Sequence, residues 1–236
     1  MHKYTKDYDK FFSHLRDKPI RIFEIGTHKG NSIRMWNEYF NNVIKIVGLD
    51  IVDKDCECTC DCHNFNFNIN EWTPMCKNLC QTKCKNNTTV KKCLEKTNAN
   101  ITCYIGSQAD NNILKEIIEQ NGPFDIIIDD GSHLTEHQKI SFEYLFPTLN
   151  NNGIYVIEDL HTSYSTSGPY RGGGLKQSHT AVEFLKDLID DININGKFST
   201  KKQAELSNRE YLNYYENNIS GIYNSKSICF IFKERL

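Results

Sequence analysis

The sequence predicts an α/β fold: a mostly parallel sheet with helices on both faces, finished by an antiparallel hairpin strand. Three observations predict it. Apolar runs at residues 126–128 and 154–157 are continuous rather than alternating, as expected of strands buried on both faces. Segments with helical three-and-four spacing separate such runs, the order of a parallel sheet built through crossovers. Near the end, residues 221–232 hold two β-rich runs around the polar stretch 224–226, which reads as a hairpin.

Residues 1–18 place Tyr4, Tyr8, Phe11, Phe12 and Leu15 on one helical stripe, a covering helix that Pro19 ends. Ile20–Ile25 is the first strand, running into Glu24-Ile-Gly-Thr-His-Lys-Gly30 and a helix to about Phe40. A glycine-bearing turn lets backbone approach a ligand and aims helix N–H groups at it. With His28 where the dinucleotide fingerprint has its middle glycine, NAD is disfavoured. Residues 43–49 form the second strand, and Asp50 at its end is placed to hold ribose hydroxyls. An insertion is expected over residues 53–98, after which Ile101–Ile105 resumes the sheet and Gly106-Ser-Gln-Ala-Asp110 follows it. Residues 111–120 are helical, Gly122-Pro123 breaks the helix, and a fourth strand leads to Asp129-Asp-Gly-Ser-His133. A helix over residues 136–145 crosses to a parallel strand ending in Glu158-Asp159-Leu-His161. That topology sets both polar clusters at one carboxyl edge, where open α/β sheets bind ligands. A glycine-rich loop through residues 169–174 reads as a lid, and residues 178–190 as a helix.

The 236 residues suit a single domain, 1–236, carrying the insertion within it. The net charge of -2 supplies no basic field for nucleic acid. No signal-like or membrane-spanning run is present, so a cytoplasmic protein with no membrane partner is expected. Eight of the 10 cysteines fall between Cys56 and Cys93, where the CxCxCxC run 56–62 and the four-residue spacing of Cys76, Cys80 and Cys84 each align thiols on one side. Two readings stay open for this lobe. Disulfide staples are slightly preferred for a coreless insertion, and Zn²⁺ is the alternative, although the spacing is not the usual CxxC knuckle.

Taken together, the chain resembles the class I S-adenosylmethionine-dependent methyltransferases, through the Glu24–Gly30 motif, Asp50 and the terminal hairpin. The resemblance implies a Rossmann-like seven-stranded sheet. Residues 129–133 together with Glu158-Asp159, the 106–110 motif and the glycine loop more closely resemble the metal-dependent macrolide-sugar O-methyltransferases and the cephalosporin-hydroxylase-type family. It implies that Asp130, Glu158 and Asp159 hold Mg²⁺, that His133 is the general base, and that Glu24, Gly26, Thr27, Gly30 and Asp50 hold S-adenosylmethionine, with Ser107 and Gln108 near the adenine. Asp129 is placed with the cofactor group, its alternative being to cap the next turn. The implied reaction moves a methyl group to a hydroxyl of a sugar or glycosylated small molecule, and related enzymes imply a homo-oligomer. The macrolide enzyme with the most similar motif carries an additional N-terminal domain, expected to be absent here, where the first motif starts at residue 20.

The residue types suit that chemistry. Three carboxylates without cysteine favour a hard cation. A histidine with an ordinary pKa near ~6.5 can take a proton from a hydroxyl that a cation has acidified. A catechol acceptor presents the same chelation problem and stands as an alternative. So does a non-catalytic binding module built on the methyltransferase scaffold.

Overall fold

The computed structural model describes residues 4–53, 89–170, 172–194 and 214–234. In chain order the regular elements are α1 (Thr5–Phe12), β1 (Ile20–Ile25), α2 (Asn31–Tyr39), β2 (Val43–Asp50), α3 (Val90–Thr97), β3 (Ile101–Ile105), α4 (Asn111–Asn121), β4 (Phe124–Asp129), α5 (Thr135–Leu145), β5 (Leu149–Ile157), α6 (Ala181–Ile194), β6 (Ile219–Ser225) and β7 (Ile228–Lys233). The strands form one sheet of seven in the order β3-β2-β1-β4-β5-β7-β6. β1 to β5 pair in parallel, whereas β7 runs antiparallel to both β5 and β6. This is the sheet the sequence predicts, with β7, the inner strand of the hairpin, as its reversed strand.

Side-chain alternation splits the core between the two faces. Ile22, Ile46, Ile126, Ile128, Val156 and Phe230 point to the side covered by α1, α2 and α3. Phe23, Val47, Ile127, Tyr155 and Ile231 point to the side covered by α4, α5 and α6. The continuous apolar runs in the strands follow directly: both faces are buried.

α1 is anchored through rings. Tyr8 meets Trp36 edge-on at 4.9 Å, and Phe11 lies 4.8 Å from both Tyr223 and Phe230. The Nζ of Lys10 sits 4.1 Å above the Tyr223 ring. The N-terminal helix therefore rests on the C-terminal hairpin as well as on α2.

Of the insertion expected over residues 53–98, residues 54–88 lie outside the described residues. Residues 90–97 are a helix, α3, whose start is capped by Thr89 Oγ1 accepting from Lys92 N at 3.5 Å. Its Leu94 is fully buried in the α1–α2 face. The physical reason is topological: β2 and β3 are parallel neighbours and need a crossover element. The polar composition around Leu94 gave too faint a period to reveal it. Cys56, Cys76, Cys80 and Cys84 lie outside the described residues, and so do the disulfide and zinc readings. Cys103 and Cys229 are buried free thiols, with burial pushing the Cys103 thiol up to about 12. No described helix is long and apolar enough to cross a membrane.

Candidate active site

The glycine turn after β1 and the loop after β4 lie against each other. Gly26 has φ +91°, and a Cβ there would stand 1.9 Å from the carbonyl oxygen of Asp130. Only glycine permits both the left-handed backbone and that approach. Gly26 N donates to Leu49 O at 2.7 Å, and Asp130 N to Ile25 O at 3.0 Å, so the turn and the acid loop are pinned to neighbouring strands. Gly30, with φ +74°, starts α2, and its N–H closes the turn on Thr27 O at 2.6 Å. At the end of β2, Asp50 Oδ2 accepts from His28 N at 2.6 Å, which fixes the proposed ribose acid beside the turn.

Glu24 is buried at the floor of this turn, and its Oε2 has no hydrogen-bond partner among the described residues. Burial is the main force that pushes its carboxyl up to about 8, with the charge of Asp130 adding to it. An orphaned buried oxygen beneath a glycine cradle fits a polar ligand seated on the turn. Thr27 is buried in the same turn, while Ser107 spends its Oγ capping its own turn at Ala109 N, 3.2 Å.

The second half of the site comes from β4 and β5. Glu158 N donates to Asp129 O at 3.0 Å, which sets the residues just beyond both strands side by side. Asp130, His133 and Asp159 each offer a ligating atom, all within 4.8 Å of one another. Glu158 stands beside them, half-buried, its charge acting on Asp130. Burial first, then the charges of Glu158 and Asp159, push Asp130 up to about 9. Burial also raises Glu158, to about 8, against the opposing hydrogen bond from Tyr8. Acids crowded in this way are costly unless a cation joins them.

His133 and Asp159 both have φ +55°, a backbone region that costs non-glycine residues of order 1–3 kcal/mol and clusters at functional sites. The His133 Nε2 lies 3.8 Å from Asp159 Oδ2. Burial holds the imidazole below its ordinary value, so the ring is neutral and able to accept a proton near pH 7. The ring of Tyr170, on the glycine loop, lies 6.1 Å from that of His133. His161 sits at the rim, its Nδ1 2.8 Å from Ser227 Oγ and 3.9 Å from Asp159 Oδ1. His137 Nδ1 is 3.0 Å from Ser132 Oγ, holding the loop rather than facing the acids.

Asp129 and Gln108 are bonded to each other. Gln108 Nε2 donates to Asp129 Oδ1 at 2.9 Å, while its Oε1 accepts from Ser132 N at 2.7 Å. Ser141 Oγ donates to Asp129 Oδ2 at 2.6 Å. This buried group ties β4, the acid loop and α5 together beneath Asp130 and His133. Sequence reasoning did not include Ser141, because nothing in an apolar helix stripe marks one serine as the partner of a buried acid. Nor did it find Tyr4 and Tyr8: the Tyr4 hydroxyl donates to Asp159 Oδ1 at 2.7 Å, and the Tyr8 hydroxyl to Glu158 Oε1.

A parallel sheet with a reversed penultimate strand, a glycine turn after β1 and an acid closing β2 defines the class I methyltransferase architecture. The chain belongs to the methyltransferase-domain family, whose sequence signature matches residues 23–160. It is 33% identical over 202 residues to demethylmacrocin O-methyltransferase of Streptomyces fradiae, covering 81% of this chain and 40% of the relative. It is 30% identical over 242 residues to mycinamicin VI 2''-O-methyltransferase of Micromonospora griseorubida, covering 100% of this chain and 49% of the relative. Among solved structures, a methyltransferase of the mycinamycin biosynthetic pathway in complex with Mg and SAH matches with a TM-score of 0.73 at 29% identity, over 100% of this chain and 50% of that one. The chain thus spans half or less of the length of these relatives.

Proposed function

We propose that this chain is the catalytic domain of a magnesium-dependent O-methyltransferase that moves a methyl group from S-adenosylmethionine to a hydroxyl of a sugar or glycosylated small molecule. The single observation that carries the reading is the convergence of Asp130, His133 and Asp159 within 4.8 Å, at the sheet edge that also holds the glycine turn. The similar mycinamycin-pathway enzyme is solved with Mg, SAH and mycinamycin VI, and the curated relatives are named as sugar or macrolide O-methyltransferases.

When bound, S-adenosylmethionine supplies a sulfonium-activated methyl group and Mg²⁺ supplies the charge that acidifies a chelated hydroxyl. Asp130, Glu158 and Asp159 would hold the metal; a set of carboxylates without thiolate suits a hard cation. Gly26, Thr27 and Gly30 would shape the donor's cradle, Glu24 would offer its unpartnered oxygen, and Asp50 would bind the ribose. Gln108, Asp129 and Ser107 would support that pocket from behind. His133 would accept the hydroxyl proton at Nε2, where the carboxylate of Asp159 stabilises the resulting imidazolium. General-base help of this kind is worth ~10²–10⁴-fold, the remainder coming from orientation of the two substrates. Tyr170 and the glycine loop would lie over the acceptor and keep water from His133.

The test is methyl transfer from labelled S-adenosylmethionine to a panel of sugars and glycosides, with and without EDTA, for the wild type and Asp130→Ala. Transfer that EDTA and Asp130→Ala both abolish is the expected result. Undiminished turnover in either case refutes the site, and preference for a catechol in the same panel refutes the acceptor class.

A further inference from the structure

We infer that α1 is part of the metal site's machinery: Tyr4 and Tyr8 are positioning residues that aim the carboxylates of Asp159 and Glu158 at the cation. This deepens the proposed function and rests on it. The two tyrosines are four positions apart and so share one face of the helix, where they meet two consecutive acids. The Tyr4 hydroxyl donates to Asp159 Oδ1 at 2.7 Å and lies 3.3 Å from the carbonyl of Ser227. The Tyr8 hydroxyl, wholly buried, donates to Glu158 Oε1.

The geometry divides the two oxygens of Asp159 between tasks. Oδ1 faces Tyr4 and His161, while Oδ2 faces His133 at 3.8 Å. A phenol that occupies one oxygen fixes the plane of the carboxylate and leaves the other oxygen directed into the site. A phenol also has a single proton to give and no charge of its own. It therefore steadies an acid beside other acids without competing with a cation for position, as an arginine or lysine would.

Both tyrosines are themselves held. Tyr8 is wedged among Phe12, Trp36 and Phe230, with ring centroids 5.2, 4.9 and 5.6 Å away. The backbone of Ser227, in the β6–β7 turn, accepts from Leu160 N at 3.0 Å as well as facing Tyr4, and its Oγ accepts from His161 N at 3.0 Å. The turn thus braces both the tyrosine and the segment that carries Asp159. Partners of metal-binding carboxylates at this remove typically change metal affinity by ~10–100-fold when lost.

The experiment is Mg²⁺ titration by calorimetry, repeated as Mn²⁺ titration by electron paramagnetic resonance, on wild type, Tyr4→Phe, Tyr8→Phe and Asp159→Asn. Phenylalanine keeps the ring packing and removes only the hydroxyl. The expected result is ~10–100-fold weaker metal binding for each phenylalanine variant. Melting in EDTA should stay within a few degrees of wild type, because a merely structural anchor would lower the melt and leave metal affinity unmoved. Affinity within twofold of wild type for both phenylalanine variants, while Asp159→Asn abolishes binding, overturns the inference and leaves the metal site standing. Absence of metal binding by the wild type overturns the site itself. Tyr4→Phe, at the margin of the aromatic cluster, decides the matter alone should Tyr8→Phe fail to fold.

Discussion

Ser141→Ala isolates the buried network beneath the active-site loop. The hydroxyl of Ser141 has one proton, and its shortest contact is Asp129 Oδ2 at 2.6 Å, against 2.9 Å to the helix carbonyl of His137. Both side chains are fully buried, so no solvent screening reduces the interaction. A hydrogen bond to a charged group contributes about 1.5–3 kcal/mol, and alanine removes little volume. At 236 residues each kcal/mol moves the melting temperature by about 2–4 °C, so the expected loss is roughly 3–12 °C at pH 8. The sign with pH follows from linkage. Burial raises the pKa of Asp129 in the folded state, and the Ser141 bond opposes that rise. Removing it raises the folded pKa further, so the deficit is full above both folded values and closes as pH falls through them. Melting curves from pH 8 to pH 4 measure this directly. A loss under 1 °C at pH 8, or one that stays constant to pH 4, refutes the assignment and gives the proton to the helix carbonyl instead.

Asp130→Asn should melt higher than wild type in EDTA at pH 8, because burial first and the neighbouring acids second push the folded wild-type carboxyl up to about 9, so folding must take up a proton that the unfolded chain sheds. The gap should narrow toward pH 5 as the unfolded chain's advantage in shedding that proton shrinks, and Mg²⁺ should raise the melt of wild type alone; a lower melt for the variant at pH 8 contradicts the raised carboxyl. Gly26→Ala should weaken S-adenosylhomocysteine binding by about 100-fold, since its Cβ would stand 1.9 Å from a backbone oxygen and the turn must open; calorimetry showing less than threefold loss would dismiss the cradle. Asp50→Asn keeps an acceptor for His28 N but loses the charge, and should weaken the same ligand about tenfold, measured in the same titration.

Much of the fold was legible because each strand carries its own signal. β1 ends where Glu24 and Gly26 say it should, whereas the hairpin turn is Lys226-Ser227 rather than 224–226, because Asn224 and Ser225 pair with Cys229 and Ile228 in the ladder. The acids at the carboxyl edge were legible for the same reason: once strands are parallel, the residues after them must meet. What was not legible depends on long-range packing. Tyr4 and Tyr8 look like any apolar stripe on a covering helix, and their hydroxyls acquire a role only when α1 docks on β7. Ser141 is ordinary, and the bond from Gln108 to Asp129 hidden, until the loop after β4 folds back over them. α3 was hidden because the composition around Leu94 is mostly polar, with Lys91, Lys92, Glu95 and Lys96 beside it.

The β6–β7 turn has a consequence for how the molecule comes into being. Tyr4 and the Ser227 carbonyl that faces it are separated by 223 positions, nearly the whole length of the chain. A ribosome that has finished Glu158 and Asp159 has therefore produced the acids proposed to hold the metal without the strand that flanks theirs or the brace that steadies them. Contacts of such separation form late, after the entropy of closing the intervening chain has been met. On the proposed function, the acid cluster takes its braced shape only once the last hairpin has docked, so the end of the chain completes what its middle begins.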